Sequence, residues 1–440
     1  MNKDSYDNIE HTINCDSLVS DFINDNHVVR CGKTYYIYSS ETGIYYKETI
    51  SELQIMVAQY YETVTENVYN VKHSRQISEL LRVRTPRVNT MNEDKCIICL
   101  KNCVIDLSSG DVFEHSPEFR FINRIEVDYD PDAKCPVFNK FLRQICMNNA
   151  KRKRTLEEFM GLCLTKDIGY GTALVLKGNG ANGKSVYANI LCALVGEGSY
   201  TSLVLDDLSN FGSGKIPGKK LAIMTEISRD SSSSIMTNEL KQIITGELMD
   251  CNVKYQQNVD MRPFCKVLIL TNHGVGFLND NSEGTLRRIL VLPMEYFVPV
   301  SERDYQLEDK MIKELSGIFN IAMNGYMRLR DNGYVYSSKE ESDSLLNDLL
   351  MYEDPLKAFV RSNVAQKKGS FITYNDFYTH YNRWCNKNGV TCDVGKEKSI
   401  QSKKAAFSKQ VFNEISNYYY VERSMRNGER GVKNVYLLNS

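Results

Sequence analysis

The sequence has no long apolar run, no low-complexity tract and no internal repeat. No hydrophobic stretch approaches the roughly 20 residues that a membrane-spanning helix needs, so we expect no membrane partner. The N-terminus, MNKDSYDNIEHTINCDS, is polar and acidic, which excludes a secretory signal. The 13 cysteines are scattered without a framework, so we expect reduced thiols in a cytoplasmic protein.

The chain also has almost no net charge, −1 at pH 7, which argues against a uniformly basic nucleic-acid binder. However, the charge is unevenly distributed along the chain. Residues 355–440 contain 15 Lys and Arg and 6 Asp and Glu, a net charge of +9, whereas the other 354 residues carry −10. A basic C-terminal module on an acidic body indicates a polyanion-binding domain, and a solvated basic face is the alternative.

Length and composition indicate a globular protein of several domains, because 440 residues include 42% hydrophobic and 25% charged residues. Between residues 166 and 297, short apolar strands alternate with helical patterns, which predicts a parallel α/β sheet. We assign this core to residues 151–300. A helical N-terminal domain is expected over 1–150, a helical extension and linker over 301–353, and a C-terminal domain over 354–440.

Three cysteines near residue 100, Cys96, Cys99 and Cys103, raise the possibility of a zinc site. A second pair of ligands at usable spacing is missing, and the same segment predicts a pair of short strands. Farther along, the basic run Lys151–Arg154 suggests a solvated link between helices, with contact to nucleic acid as the alternative. Thr155 and Glu158 would cap the next helix. The polar stretch Ser337–Ser344 is similarly predicted to be a loop or linker.

The strongest motif is a glycine-rich turn between an apolar strand and a helical pattern. The turn reads GNGANGKS and matches the P-loop pattern GxxxxGK[ST] in full. Its candidate binding residues are Gly178, Gly180, Gly183, Lys184 and Ser185. The glycines let backbone N–H groups point at phosphate oxygens, the lysine reaches the β- and γ-phosphates, and the serine hydroxyl holds Mg²⁺. We therefore expect ATP and Mg²⁺ as cofactors, with a chance glycine-rich turn as the alternative.

Further candidate catalytic residues follow two later apolar strands. Glu226 ends the strand after Lys220, where it would polarise the attacking water or hold the second shell of the metal. Asn272 ends the next strand and could hydrogen-bond the γ-phosphate and water. Arg287 and Arg288 come 15 residues later, and either could act as a finger on the phosphate of a neighbouring subunit.

The C-terminal module is predicted to contain three helices followed by a β-hairpin, which is winged-helix topology. Asn427-Gly428 is a strong signal for the hairpin turn. The third helix and the wing carry the candidate DNA-binding residues Lys403, Lys404, Lys409, Arg423, Arg426, Arg430 and Lys433.

Taken together, these motifs resemble those of the superfamily-three helicases. The matching segments are GNGANGKS, LAIMTE, LKQIITGELMDCNVKY, FCKVLILTNH and LRRILVLP. The branch found in poxvirus primase-helicases and in the C-terminal half of phage and plasmid primases is the most similar. Upstream, FINRIEVDYDPDAKCPVFNKFL is similar to the helicase-associated N-terminal domain of that branch. The resemblance covers roughly residues 90 to 440.

This resemblance implies a hexameric ring with an AAA+-like P-loop core that translocates on DNA and hydrolyses ATP. Glu226 would be the Walker B acid, Asn272 sensor 1, and Arg288 or its neighbour Arg287 the finger. The segment between Lys254 and Arg262 would form a hairpin that contacts single-stranded DNA in the central channel, while the C-terminal module binds duplex DNA.

Two departures from the family pattern qualify this interpretation. Only one acid ends the Walker B strand, and no primase half precedes the P-loop region. We therefore expect a stand-alone replicative DNA helicase of a virus or mobile element in the host cell cytoplasm, and whether a separate primase serves it is left open. The alternatives are an initiator that uses ATP only to oligomerise on duplex DNA, and a small-molecule kinase, which would not explain the basic module.

Overall fold

A computed structural model of the protein describes residues 14–92, 94–204, 212–225, 238–251, 259–272, 283–353, 355–390 and 400–438. Its first region contains α1 (Cys15–Asp25), β1 (Val29–Cys31), β2 (Thr34–Ser39), β3 (Ile44–Glu48), α2 (Ile50–Thr65), α3 (Ser74–Arg84) and β4 (Arg87–Val88). The strands form a sheet of order β3-β2-β1-β4. Apolar side chains at helical spacing, such as Leu53 and Val57 in α2, are fully buried between the helices and this sheet.

A second small sheet leads into the core. It comprises β5 (Ile97–Cys99), β6 (Val104–Asp106) and β7 (Val112–Phe113), and α4 (Pro136–Ile145) and α5 (Ala150–Leu164) follow. The expectation of a helical N-terminal domain is therefore wrong, because short strands β1–β7 accompany helices α1–α4 in the described part of this region. The strand pair predicted around Cys99 is confirmed. Among the described residues, no group of three or more His, Cys, Asp or Glu could hold a metal ion.

The middle of the chain forms a five-stranded parallel sheet. Its elements are β8 (Ala173–Lys177), α6 (Lys184–Val195), β9 (Tyr200–Leu203), β10 (Leu221–Thr225), α7 (Asn238–Thr245), β11 (Met249–Cys251), β12 (Val259–Met261), β13 (Lys266–Thr271), α8 (Glu283–Leu286) and β14 (Ile289–Pro293). The strand order is β14-β8-β13-β10-β9. Strand β13 is buried along its whole length, as expected for a parallel sheet covered on both faces. The predicted parallel α/β sheet is therefore confirmed.

Three helices complete the core: α9 (Leu307–Ile312), α10 (Leu315–Asp331) and α11 (Lys339–Glu353). Helix α10 packs closely on α5 through glycines on both helices. A Cβ at Gly161 in α5 would lie 2.1 Å from the carbonyl oxygen of Ala322, and a Cβ at Gly325 in α10 would lie 2.3 Å from that of Glu157. Both positions therefore require glycine, because neither backbone can move aside cheaply.

We expect Gly325→Ala to destabilise the protein by about 1–3 kcal/mol, because the added methyl group forces α10 away from α5. Thermal unfolding measures the effect. Asn324→Ala, at an exposed position of the same helix, is the matched control. An unchanged midpoint for Gly325→Ala would show that the two helices can separate without loss of packing.

Helix α5 begins earlier than the sequence predicts. Ala150 is its first residue and Asn149 caps it, so the basic run Lys151–Arg154 lies in the helix and not in a link. Thr155 is not a cap but a fully buried residue whose hydroxyl lies 2.8 Å from that of Ser338. The sequence prediction placed the start of the helix too late, because the capping residue is Asn149, six residues before Thr155.

The start of α11 was also predicted to be a linker, and it is not one. The helix begins at Lys339 within the polar stretch Ser337–Ser344. Ser342 is fully buried, and its hydroxyl accepts a hydrogen bond from the Val291 N–H of β14 at 2.8 Å. Serine in this helix therefore satisfies the backbone of an edge strand, which composition alone does not reveal.

The C-terminal region has its own apolar core, which includes Phe359, Phe377 and Phe407. It comprises α12 (Pro355–Asn363), β15 (Val364–Thr373), α13 (Tyr374–Asn388), α14 (Ile400–Ser416), β16 (Glu422–Arg426) and β17 (Glu429–Leu437). The three predicted helices and the hairpin are confirmed. Strand β15, which pairs with β17, was missed because a register shift between Gln366 and Phe371 interrupts its pattern.

No helix in the described ranges is both long enough and apolar enough to span a bilayer. The twelve cysteines in these ranges are all free thiols.

Candidate phosphate-binding site and basic surfaces

The glycine-rich turn lies at the carboxyl edge of the sheet, between β8 and α6. Gly183, with φ +83°, is the residue before the helix, and no side chain caps that helix within the described structure. The first N–H groups of α6 therefore face the turn, where an anion would satisfy them. At Gly180, with φ +96°, no atom of the described residues beyond its chain neighbours lies within 4 Å of an ideal Cβ, so the turn has room for a ligand here. Ser185, in the first turn of α6, is exposed.

Lys184 lies over this turn although it is only 7% exposed. Its Nζ donates hydrogen bonds to the Gly178 carbonyl oxygen at 2.9 Å, to Asn182 Oδ1 at 2.9 Å and to Asn272 Oδ1 at 3.0 Å. All three partners are neutral, and burial lowers the pKa of the lysine. An anionic ligand would therefore be a better partner for this ammonium group than the oxygens that hold it now.

The parallel sheet brings Asn272 to Lys184 across 88 residues of sequence. Asn272 directly follows β13, which lies beside β8, so the carboxyl ends of both strands meet at one edge. The next strand in the sheet is β10, which ends at Thr225. Glu226 lies outside the described residues, so its proposed role in water activation and metal binding stays a prediction.

Asn182 is a part of the site that the sequence did not single out. It is 3% exposed, and its Nδ2 donates to the Met294 carbonyl oxygen at 2.9 Å while its Oδ1 accepts from Lys184. A Cβ at Gly178 would lie 1.9 Å from Asn182 Nδ2. Its position inside the P-loop motif was the signal in the sequence that could have identified it. However, its hydrogen-bond partner Met294 is 112 residues away in the chain.

The structure separates Arg287 and Arg288 from the other candidate residues. They precede β14, and the Arg288 carbonyl oxygen accepts from Ala173 N at the start of β8. This is the amino end of the parallel strands, whereas the turn lies at their carboxyl end. The two ends are about 20 Å apart, because each strand residue spans about 3.3 Å. Arg287 is exposed, whereas Arg288 is half-buried and donates through Nη1 to the Gly284 carbonyl oxygen. Neither arginine can reach the turn of its own chain.

A pair of antiparallel strands flanks the segment that was predicted to form the channel hairpin. Strands β11 and β12 pair antiparallel, with Cys251 opposite Val259. Arg262 follows β12 and is exposed. Lys254 lies outside the described residues, so its role stays a prediction.

The C-terminal basic residues lie on two elements. Lys409 is exposed on α14, and Arg426 and Arg430 are exposed on either side of the Asn427-Gly428 turn. Lys403 and Lys404 also lie in α14, but their side chains are outside the described structure. Lys433 is exposed on β17.

Arg423 has a packing role as well as a charge. Its guanidinium lies 4.4 Å from the centre of the Phe412 ring, which joins β16 to α14. This residue therefore holds the hairpin against the helix.

Comparison with known proteins gives two partial family matches. Residues 20–147 match a family described as "D5 N terminal like", and residues 176–288 match a family of unknown function, DUF5906. The second match covers the turn, Asn272 and both arginines.

The chain is also similar to a viral protein, "Putative helicase L207/L206" of Acanthamoeba polyphaga mimivirus, at 22% identity over 335 residues. That alignment covers 68% of this chain and 34% of the relative, so the chain spans about a third of the relative's length.

Two solved structures of the NrS-1 C-terminal region share the fold. The "A form apo structure" has a TM-score of 0.58 at 15% identity, and the alignment covers 95% of this chain and 99% of that one. A second apo structure has a TM-score of 0.56 at 15% identity, with 95% and 98% covered. The whole architecture, including the C-terminal region, therefore recurs in another protein.

Proposed function

We propose that the protein is an ATP-dependent DNA helicase that acts in the replication of a virus or mobile element. The observation that carries this proposal is the meeting of Lys184 and Asn272 over an open glycine-rich turn. The similarity to a putative viral helicase and the fold shared with the NrS-1 C-terminal region support it. The experiment that tests this proposal measures ATP-dependent displacement of a labelled DNA strand. Lys184→Ala is the inactive control.

In this proposal the residues of the turn bind and orient the triphosphate. The N–H groups of α6 and the Lys184 ammonium hold its oxygens, and Asn272 lies where it can contact the γ-phosphate or the attacking water. The exposed hydroxyl of Ser185, beside Lys184, suits Mg²⁺, with Glu226 completing the site; the ion would neutralise charge that develops on the phosphates.

A ring explains where the arginines lie. At the opposite edge of the sheet, Arg287 and Arg288 can serve only the turn of a neighbouring subunit, so the ATP site would be completed by a second copy. We propose a hexamer on the strength of the resemblance described above. Single-stranded DNA would pass along the β11–β12 hairpin.

The C-terminal region would bind duplex DNA as a winged helix. Its element order, with a strand between the first two helices and a terminal hairpin, supports this assignment, as do the exposed Lys409, Arg426 and Arg430. A winged helix that binds duplex DNA would also suit the alternative function, an initiator that oligomerises on duplex DNA without unwinding it.

The β11–β12 hairpin discriminates between the helicase and the initiator. We expect Lys254→Ala combined with Arg262→Ala to reduce strand displacement by at least about tenfold while duplex binding stays within about twofold, because two phosphate contacts in the channel are lost. Strand displacement and fluorescence anisotropy on duplex DNA measure the two activities. Duplex binding without any strand displacement, in the parent protein as well as in the variant, would favour the initiator.

A further inference from the structure

Arg152 lies between carboxylates of two different elements. Its Nε and Nη2 lie 2.8 Å and 2.7 Å from Glu341 Oε1 in the first turn of α11, and its Nη1 lies 2.9 Å from Glu295 Oε2, two residues past β14. The arginine side chain is only 14% exposed. Burial acts to lower its pKa, but the hydrogen bonds to Glu341 and Glu295 raise the pKa above its ordinary value. The guanidinium is therefore a fixed bridge between the end of β14 and α11.

One side of this bridge leads to the glycine-rich turn. Met294 directly precedes Glu295, and its carbonyl oxygen accepts the Asn182 Nδ2 hydrogen bond at 2.9 Å. The Met294 N–H donates to the Lys177 carbonyl oxygen at 2.6 Å, at the point where the turn begins. Asn182 in turn accepts from Lys184. The segment 293–295 is thus the support on which the turn rests, and Arg152 holds its last residue.

The other side leads to the C-terminal region. The start of α11 is fixed by Ser338, which contacts Thr155, and by Ser342, which contacts β14. The helix then runs to Glu353, and α12 of the C-terminal region begins at Pro355. A shift in α11 would therefore change where the C-terminal region is held.

We propose that Arg152 is a positioning residue that couples ligand occupancy of the glycine-rich turn to the docking of α11 and so to the C-terminal region. This inference rests on the proposed ATP binding. A triphosphate would draw the Lys184 ammonium away from Asn182 Oδ1, and the other end of that amide holds Met294 beside Glu295. Coupling is reciprocal, so fixing α11 would also favour the bound arrangement of the turn.

The neighbouring ion pair provides a matched control. Lys151 Nζ lies 3.4 Å from Glu340 Oε2 and joins the same two helices, but both side chains are exposed, at 63% and 91%. Such a pair contributes little. In the described structure, no hydrogen bond or ion pair joins either residue to the segment 293–295. Lys151→Ala therefore removes a link between α5 and α11 without touching the support of the turn.

The experiment measures binding of a fluorescent, non-hydrolysable ATP analogue with Mg²⁺ to the full chain. We expect Arg152→Ala and Glu341→Gln to weaken binding by about threefold to thirtyfold, the range of typical coupling energies, and Lys151→Ala to stay within about twofold. Arg152→Lys should be intermediate, because an ammonium group cannot bridge two carboxylates as a guanidinium does. Hydrogen exchange should show that the analogue slows the amides of residues 339–348 in the parent protein and in Lys151→Ala but not in Arg152→Ala.

Parent-like analogue affinity, together with parent-like slowing in α11, for both folded variants would overturn the proposal. If Arg152→Ala does not fold, Glu341→Gln decides whether the coupling exists. This variant keeps Arg152 beside Glu295 and removes only the negative charge of Glu341. If the parent protein itself does not bind the analogue, the proposed function fails and the coupling fails with it. Normal binding by the parent with no effect of either variant rejects the coupling alone.

Discussion

Replacement of Lys184 by alanine is expected to reduce ATP hydrolysis by at least about 10²- to 10³-fold, the usual effect of removing one preorganised charge from a reacting centre. The ammonium group of Lys184 donates hydrogen bonds to three neutral oxygens, on Gly178, Asn182 and Asn272. Burial also lowers the pKa of this lysine, so a phosphate would relieve an unfavourable environment.

Phosphate release under excess ATP and Mg²⁺ measures the loss. Lys140→Ala is the matched control, because Lys140 is an exposed lysine on α4, the helix that packs against Gly183 through Ile145. We expect the Lys184 variant to keep its fold, since the lost hydrogen bonds contribute only about 1 kcal/mol each and their acceptors lie beside an open turn. Undiminished turnover in the folded variant would refute the assignment of the turn as an ATP site.

The sequence predicted the parts of this site that are local. A glycine-rich turn, the strand before it and the helix after it occupy about 25 consecutive residues, and their pattern is enough to place Lys184 at the start of α6. Asn272 was also predicted, because parallel strands must end at one edge of a sheet. The placement of Arg287 and Arg288 at the other edge could have been deduced from the same rule, since both precede their strand.

The supports of the site could not be predicted, because they join residues that are far apart in the chain. Asn182 meets Met294 across 112 residues, and Arg152 meets Glu295 across 143. The run Lys151–Arg154 has the composition of a solvated link, and only the packing of α11 on α5 shows that one of its four residues is nearly enclosed. Strand β15 was missed for a different reason, because the register shift between Gln366 and Phe371 interrupts its strand pattern.

Removal of the finger arginine is expected to reduce turnover by about 10³-fold or more. The site affected would be that of the neighbouring subunit, which the arginine is proposed to complete. The two candidates differ in their surroundings. Arg288 donates to the Gly284 carbonyl oxygen and is half-buried, whereas no hydrogen bond or ion pair of the Arg287 side chain is found in the described structure. We therefore expect Arg288→Ala to lower the melting temperature and Arg287→Ala to lower turnover alone. The reverse result would identify Arg288 as the finger.

Mixing two inactive variants tests whether the finger acts between subunits. In a ring assembled at random from equal amounts of Lys184→Ala and the finger variant, about one interface in four combines an intact lysine with an intact arginine from the next subunit. If the sites act independently, the mixture should regain about a quarter of the parent activity, although neither variant is active alone. A mixture of Lys184→Ala with Lys140→Ala controls for dilution of active subunits and should give a linear loss.

Concentration provides an independent test of the same geometry. If an arginine of a neighbouring subunit completes the ATP site, a monomer lacks a complete site, because the turn and the arginines lie about 20 Å apart in one chain. Activity per subunit should then fall on dilution. The mass of the species in solution has to be followed at the same concentrations, so that loss of activity can be matched to loss of the proposed ring. Full activity per subunit in a verified monomer, or no recovery in the mixed assembly, would mean that the arginines of β14 serve the fold of their own chain, as the bond from Arg288 to Gly284 already does in part.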